Sequence, residues 1–182
     1  MTVAREVSLK KTNDGYILKN IPVAQLKKYQ GKSTRKTIKV KAENQLIEKS
    51  QIDLSKAVVD LDLKKMTAGK YTFALKNALG EELTFGIDNT TKELFVDRSK
   101  SGNTDFGNHF ATAVSKAPLN KVYSNVKMKL VIDKTSIEIF FNDGEKVLTE
   151  IFFPNEHFSE LYLSTDTKGS TLNIRGHQLN IN

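Results

Sequence analysis

The fold is decided by the stretch from Asn125 to Pro154, which reads NVKMKLVIDKTSIEIFFNDGEKVLTEIFFP. Apolar residues occupy every second position over 126–132 and again over 137–141, the period that places successive side chains on opposite faces of a strand. Asn142-Asp143-Gly144 supplies the positive φ angles that a tight hairpin requires. A third strand follows and ends at Pro154, which has no backbone N–H to donate. The stretch therefore predicts three antiparallel strands, and because both faces hold apolar residues, both are expected to be covered.

Short alternating segments recur along the rest of the chain. Strands are expected at 5–10, 16–18, 37–41, 57–63, 71–75, 83–87, 94–96, 106–114, 161–163 and 172–174. Val23 to Tyr29 predicts one helical turn, Leu46 to Glu48 a strand or a loop, and Arg98 to Asp105 a loop. About a dozen short strands, with turn residues roughly every 8–12 positions, predict an all-β fold. We expect a two-sheet antiparallel β-sandwich of the concanavalin A-like or jelly-roll type, with residues 1–182 as a single domain.

Composition excludes several classes of protein. The 182 residues include no cysteine, which rules out disulfides and thiolate metal sites and leaves the compartment open. No run approaches the roughly 20 apolar residues of a membrane span, and Met1 to Lys10 lacks the apolar region of a signal peptide. The charge is uneven: the first 42 residues hold eleven Lys or Arg against two acidic residues, and the remainder holds 17 basic and 19 acidic residues. Because the basic residues are dispersed through strand-like sequence, we expect them to lie on solvated faces and edge strands.

Three segments resemble one known family. The segment from Val131 to Gly144, followed by Leu148-Thr149 and by 151–154, resembles the C-terminal β-sandwich of glycoside hydrolase family 32, which contains levanases, inulinases and invertases. Upstream, 94–99 with Ser101-Gly102, Phe106 and Phe110 resembles a second signature of that domain. Residues 1–9 resemble the segment that leads out of the family's catalytic β-propeller, with Ala4 where the family usually has proline.

The resemblance implies that this chain lacks the catalytic machinery. In family 32 the catalytic residues lie on the propeller, in motifs containing Asn-Asp-Pro, Arg-Asp-Pro and Glu-Cys. The prolines of this chain are Pro22, Pro118 and Pro154, none of which follows an aspartate, and there is no cysteine. The resemblance thus implies a non-catalytic accessory domain of a β-fructosidase acting on fructans or sucrose, with residues 1–30 leading out of the propeller. It implies no cofactor, a propeller in the same polypeptide as partner, and fructan or sucrose-type sugars at the rim. For the parent enzyme it implies a secreted, periplasmic or surface-associated location.

Candidate site residues are few. Glycoside hydrolysis needs two carboxyl groups across the scissile bond, and Asp133 with Glu138 is the pair to test first, although surface carboxylates at a hairpin end are the simpler interpretation. Asp97-Arg98-Ser99 is either a sugar-binding trio or a set of charge-assisted bonds that order the next loop. Asn89-Thr90-Thr91 matches a glycosylation acceptor, to which we attach no function. The three histidines lack metal-ligand spacing, so no metal site is expected; they are His109, His157 and His177.

Two other classes of function remain open from the sequence. The first is an autonomous carbohydrate-binding module for fructans, in which tyrosines would stack on sugar rings because tryptophan is absent. The candidate platforms are Tyr16, Tyr29, Tyr71, Tyr123 and Tyr162. The second is nucleic-acid binding through the basic first 42 residues, whose affinity would fall steeply with salt. We expect no nucleic-acid partner, since only Tyr16 and Tyr29 accompany those charges as stacking rings.

Overall fold

The computed structural model describes residues 2–13, 15–49, 51–107 and 109–180, and this part of the chain is almost entirely β-structure. A single short 3-10 helix spans Ala24–Tyr29 within it, where a helical turn was predicted. The strands are β1 (Arg5–Thr12), β2 (Gly15–Pro22), β3 (Gln30–Lys39), β4 (Gln45–Lys49), β5 (Ala57–Lys64), β6 (Lys70–Lys76), β7 (Glu82–Asp88), β8 (Glu93–Lys100), β9 (Ser115–Pro118), β10 (Asn125–Asp133), β11 (Ser136–Phe141), β12 (Lys146–Ile151), β13 (Glu160–Thr165) and β14 (Thr171–Leu179).

Twelve of these strands form two six-stranded antiparallel sheets. The first sheet has the order β12-β11-β10-β5-β14-β3, and the second has the order β4-β13-β6-β7-β8-β9. The remaining two strands, β1 and β2, pair only with each other. The two sheets pack as a β-sandwich, so the predicted fold class is confirmed. In the described residues, the 3-10 helix is too short and too polar to cross a membrane.

The core lies between the two sheets and is built from the alternating apolar residues of both. Leu61 and Leu63 of β5 and Leu130 of β10 meet Phe73 of β6 and Phe85 of β7 in one continuous cluster. The rings of Phe73 and Phe85 stack with their centroids 5.6 Å apart. Each fully buried side chain of this size contributes about 1.5–3 kcal/mol relative to an exposed position. Burial of this kind holds the sheets together without disulfides.

The deciding stretch forms three adjacent strands, as predicted. β10 pairs with β11, and β11 pairs with β12. The hairpin between β11 and β12 has positive φ at Asn142 (44°), Asp143 (56°) and Gly144 (81°). All six residues of β11 are buried, because one face lies in the sandwich core and the other is covered by Val3 and Leu26 from the start of the chain. The expectation that both faces are covered is therefore confirmed for β11.

Two predicted segments differ from the structure. The strand predicted over 106–114 is wrong: residues 106–107 and 109–114, which the structure describes, form turns and bends, with a positive φ of 58° at Ala111, and the strand β9 begins only at Ser115. Phe106 and Phe110 pack on each other, with ring centroids 4.5 Å apart, and both pack on Phe153, with ring centroids 5.0 and 5.7 Å from it. The loop predicted from Arg98 also starts too early, since β8 continues to Lys100 through a bulge.

Smaller differences lie at strand ends. β12 ends at Ile151, three residues before Pro154, and it is the edge of its sheet with Ile151 46% exposed. The segment at 45–49, which the sequence left open, is the edge strand β4. Asn13-Asp14-Gly15, between the first two predicted strands, is a sequence typical of a turn, but its Asp14 lies outside the described residues.

Candidate functional site

The β1–β2 hairpin is fastened to the first sheet by a buried carboxylate. Glu138 of β11 is 3% exposed and accepts a hydrogen bond of 2.6 Å from the backbone N–H of Val3 and one of 3.0 Å from Nε of Arg5. Nη2 of Arg5 completes the ion pair with Glu138 and also donates to Oγ1 of Thr149 at 2.9 Å. The guanidinium carbon of Arg5 lies 5.3 Å from the centre of the Phe140 ring. The residues from the start of the chain thus serve as a lid over the outer face of β11.

A second set of contacts joins this hairpin to the β11–β12 hairpin. The backbone N–H of Asn20 donates to the carbonyl of Gly144 at 3.0 Å. Nζ of Lys10 lies 3.0 Å from a carboxylate oxygen of Glu145, and this ion pair raises the pKa of Lys10. The two hairpins are therefore held at both ends, by Glu138 at one and by Gly144 at the other.

One face of the β1–β2 hairpin carries three exposed apolar side chains. Leu9 and Leu18 are directly paired across the hairpin, and Val7 lies two residues from Leu9 on the same face. Leu9 is 69% exposed, Val7 is 60% exposed and Leu18 is 53% exposed. Single exposed apolar residues are ordinary, but three that adjoin on one ribbon form a contiguous patch of the kind that contacts a partner. We call these three residues the hairpin patch.

Beside the hairpin lies an open groove of about 960 Å³. It is lined by Lys10 and Lys19 of the hairpin, by Asp62 and Lys127 of the first sheet, and by the loop residues Asn120, Lys121 and Tyr123. Tyr16 lies at its rim near the tip of the hairpin and is 67% exposed. Its lining is rich in ammonium, amide and carboxylate groups, so it is a polar groove that suits a hydrophilic ligand.

The structure does not assemble Asp133 and Glu138 into a catalytic pair. Asp133 is exposed and accepts a hydrogen bond of 2.8 Å from the backbone N–H of Lys134, which it uses to order the β10–β11 turn. Glu138 is not the surface carboxylate that the simpler interpretation expected, since Arg5 and Val3 occupy both its oxygens. The sequence did carry a signal for this role, because Glu138 lies between Ile137 and Ile139 in a strand with two apolar faces.

Asp97-Arg98-Ser99 is used in local structure. Oδ1 of Asp97 accepts a hydrogen bond of 2.9 Å from the backbone N–H of Ser99. Arg98 lies 3.2 Å from Glu150, donates to the carbonyl of Ile151 at 3.1 Å and stacks its guanidinium 4.1 Å above the Phe110 ring. These contacts tie β8 to the edge strand β12 and hold the following loop, as the second of the two interpretations describes.

The predicted glycosylation acceptor is a buried structural residue. Asn89 is 0% exposed, and its side-chain amide donates to the carbonyls of Thr67 (3.0 Å) and Tyr123 (2.7 Å). Its side-chain oxygen accepts from the backbone N–H of Tyr123 at 3.0 Å. A side chain enclosed in this way cannot carry a glycan, and its role is to join two loops. Sequence patterns gave no sign of these contacts, because they span 22 and 34 residues.

The candidate tyrosines divide into exposed and buried groups. Tyr71 is 0% exposed, and its hydroxyl bonds Thr167 at 2.7 Å, so it belongs to the core and is wrong as a stacking platform. Tyr16 and Tyr29 are exposed, whereas Tyr123 and Tyr162 are half-buried. Tyr123 packs its ring edge-on against Phe141 at 5.3 Å. Only Tyr16 therefore combines an exposed ring with a place on the groove.

The histidines do not come together. His109 and His157 are exposed, and His177 is buried in β14. Burial lowers the pKa of His177, the positive charge of Arg175 lowers it further, and Asp60 opposes the effect. No cluster of three or more metal-ligating side chains occurs in the part of the chain that the structure describes.

A two-sheet antiparallel β-sandwich preceded by a hairpin that lies on the outer face of one sheet defines the class of domain. The sequence model of Glycosyl hydrolases family 32 C terminal matches residues 24–178. The chain belongs to this family of C-terminal domains, and the resemblance stated from the sequence is confirmed.

Similar proteins cover this chain well but are much longer than it. It is 31% identical over 165 residues to the levanase of Bacillus subtilis (strain 168), which covers 89% of the chain and 24% of the levanase. It is 30% identical over 120 residues to the extracellular exo-inulinase of Aspergillus niger, covering 64% of the chain and 22% of that protein. The crystal structure of exo-inulinase from Aspergillus awamori superposes with a TM-score of 0.80 at 25% identity, covering 98% of this chain and 35% of that one. The chain thus spans about a quarter to a third of the length of these relatives.

Proposed function

We propose that this chain is a non-catalytic accessory domain of a β-fructosidase, which packs on and stabilises the catalytic β-propeller of the same polypeptide. Residues 1–30 then lead out of the propeller, and the parent enzyme hydrolyses β-fructofuranosidic bonds in fructans or sucrose. Membership in a family of C-terminal domains, and relatives named levanase and exo-inulinase, support this proposal.

The hairpin patch carries the docking part of the proposal. Val7, Leu9 and Leu18 lie on the segment that joins the two domains in this account, and their uncovered side chains favour an apolar partner surface. Removing apolar area from water contributes about 25 cal/mol per Å², so even a small patch favours packing when the partner is tethered nearby. The hairpin itself is braced against the sandwich by Arg5 and Glu138, so it presents the patch from a fixed support.

The carboxylates favour a non-catalytic role. Asp133 and Glu138 are the first candidates for a catalytic pair. Asp133 accepts a hydrogen bond from the backbone N–H of Lys134, and Glu138 accepts one from Nε of Arg5. A retaining or inverting glycosidase needs one protonated and one ionised carboxyl group facing the same sugar. The contacts of these two residues instead serve a turn and an ion pair.

A chimaeric enzyme tests the proposal. In it, this chain replaces the matching region of the Bacillus subtilis levanase. We expect the chimaera to unfold at a higher temperature than levanase truncated before that region, because the accessory domain covers apolar surface of the propeller. The double variant Leu9→Lys/Leu18→Lys should lose this gain, since two ammonium groups would enter the interface.

The control is Leu46→Lys/Leu79→Lys, which alters two leucines that are 42% and 56% exposed on other parts of the surface. This variant should keep the gain in unfolding temperature. The proposal fails if the chimaera is no more stable than truncated levanase, or if the control variant loses as much as the hairpin variant.

A further inference from the structure

The groove beside the hairpin has an excess of positive charge. Its lining contains six lysines and three carboxylates. Glu145 is paired with Lys10 at 3.0 Å, and Asp62 with Lys64 at 3.2 Å. Three further lysines of the lining are Lys19 on the hairpin, Lys121 on the loop and Lys127 on the sheet. Within the described residues, no carboxylate oxygen lies within 4.0 Å of the Nζ atom of any of these three. Ammonium groups gathered in a concave surface attract a ligand of opposite charge.

The same groove carries groups that recognise sugars. The exposed ring of Tyr16 offers an apolar face for stacking. The side-chain oxygens of Asn120 and Asn142 are occupied by the Tyr123 hydroxyl (3.1 Å) and by the backbone N–H of Lys127 (3.0 Å). Their amide nitrogens have no hydrogen-bond partner in the described part of the chain, so they remain able to donate to hydroxyl groups.

The arrangement of rings favours a carbohydrate over a nucleic acid. A single strand of nucleic acid is held by stacking successive bases on several aromatic side chains. Here Tyr16 alone is exposed, because Tyr123 packs edge-on against Phe141 and lies beneath Nζ of Lys121, 5.3 Å from the ring centre. One ring with flanking amides suits one sugar unit, and lysines on both sides suit charges on the neighbouring units.

We propose that this groove binds an oligosaccharide that carries carboxylate groups. Lys19, Lys121 and Lys127 meet the carboxylates, Tyr16 stacks on a sugar ring, and Asn120 and Asn142 donate to hydroxyls. By register Tyr16 shares the face of Leu18, whereas Lys19 lies on the other face of the hairpin, so the site borders the hairpin patch at the hairpin tip. It goes beyond the accessory role, since a structural domain needs no ligand of its own. Such a site would hold the parent enzyme on an acidic polysaccharide.

Isothermal titration calorimetry on the full 182-residue chain tests this proposal with four probes. The first is a short oligogalacturonate, the second is inulin of the same length, the third is polyglutamate of the same charge, and the fourth is a short oligothymidylate. We expect oligogalacturonate to bind most tightly, with an affinity that falls as salt screens the lysines. Lys19→Gln/Lys121→Gln/Lys127→Gln should weaken it about tenfold or more through the loss of three charges. Tyr16→Ala should weaken oligogalacturonate binding but leave polyglutamate binding unchanged.

The matched control is Lys28→Gln/Lys32→Gln/Lys36→Gln, which removes the same charge from exposed positions outside the groove. The affinity of this control variant for oligogalacturonate should stay within about twofold of that of the original chain, because distant charges are screened. The proposal is overturned if oligogalacturonate does not bind, or if the control loses as much affinity as the groove variant. It is equally overturned if polyglutamate, inulin or a short oligothymidylate binds as tightly as oligogalacturonate. The six lysines substituted in the two triple variants are exposed or half-buried, so the melting temperatures of both variants should match that of the original chain.

Discussion

Individual polar residues, rather than catalytic groups, organise this domain. Glu138 and Asn89 are both buried, and each satisfies its side chain through contacts with distant parts of the chain. Buried polar groups of this kind are expensive to leave unpaired, since each unsatisfied donor or acceptor costs about 1–3 kcal/mol. Substitutions at Glu138, at Asn89 or at their partners should therefore change the free energy of unfolding.

Arg5→Gln should lower the free energy of unfolding by about 3 kcal/mol, because it leaves the buried Glu138 carboxylate without its cation. Urea denaturation followed by circular dichroism measures the change. Lys10→Gln breaks the ion pair with Glu145 at the exposed end of the same hairpin and should leave the midpoint where it is. Equal effects of the two substitutions would show that Glu138 is not the anchor of the hairpin.

Asn89→Ala should cost about 3 kcal/mol, since two carbonyls and one N–H lose their partner. Thr91→Ala removes the same glycosylation acceptor but touches only an exposed hydroxyl. We expect its unfolding curve to match that of the original chain. If both variants, produced in a secreting host, lost the same free energy of unfolding, the loss would come from the missing glycosylation acceptor and not from the loop contacts of Asn89.

His177 should make stability depend on pH below neutrality. Its pKa in the folded domain lies below the unfolded value of about 6.5 because burial disfavours the charged form. As the pH falls below 6.5, the unfolded chain takes up the proton first, so stability decreases. Denaturation midpoints between about pH 7.5 and about pH 5, a range chosen to stay above the pKa values of the carboxylates, should decline for the original chain and decline less for His177→Gln. Parallel curves for the two would contradict this assignment.

At the scale of single elements, a strand could be predicted where its apolar residues alternate clearly along the sequence. The alternation over 126–141 and the Asn142-Asp143-Gly144 turn led directly to β10, β11 and their hairpin. The segment from Phe106 to Val114 failed because its phenylalanines are spaced as in a strand yet gather around Phe153, a contact some 40 residues away that local sequence does not encode. The anchor at Glu138 was missed for a similar reason, since its partner Arg5 lies 133 residues away.

The contact between the two hairpins is tested by one glycine. At Gly144 (φ +81°) a Cβ would overlap the carbonyl oxygen of Asn20, whereas at Gly80 (φ +80°) it would meet nothing within 4 Å. Both alanine variants carry the same backbone strain, of about 1–2 kcal/mol. Gly144→Ala should therefore cost about 2 kcal/mol more than Gly80→Ala, as the hairpins are pushed apart. Thermal melts of the two variants give the difference directly, and equal melting temperatures would mean that the β1–β2 hairpin is not held at this point.

At the scale of the whole molecule, two surfaces of one hairpin have different chemistry. The hairpin patch is apolar and exposed, while the groove beside the hairpin is basic and polar. Under the proposed function, the domain packs on its propeller through the hairpin patch, and the groove stays open to a ligand. The sequence predicted the family and the sandwich, but not these surfaces, because they arise from residues of the hairpin, β10 and the 120–125 loop that meet only in the folded chain.

The most direct test of the central claim is the release of fructose by the purified 182-residue chain alone. Levan, inulin and sucrose are each incubated with it, and free fructose is measured over time, with truncated levanase as the positive control. A domain without catalytic carboxylates should release none above the blank at any concentration of the chain. Fructose release that rises in proportion to the chain, and persists after a second purification, would contradict a non-catalytic role.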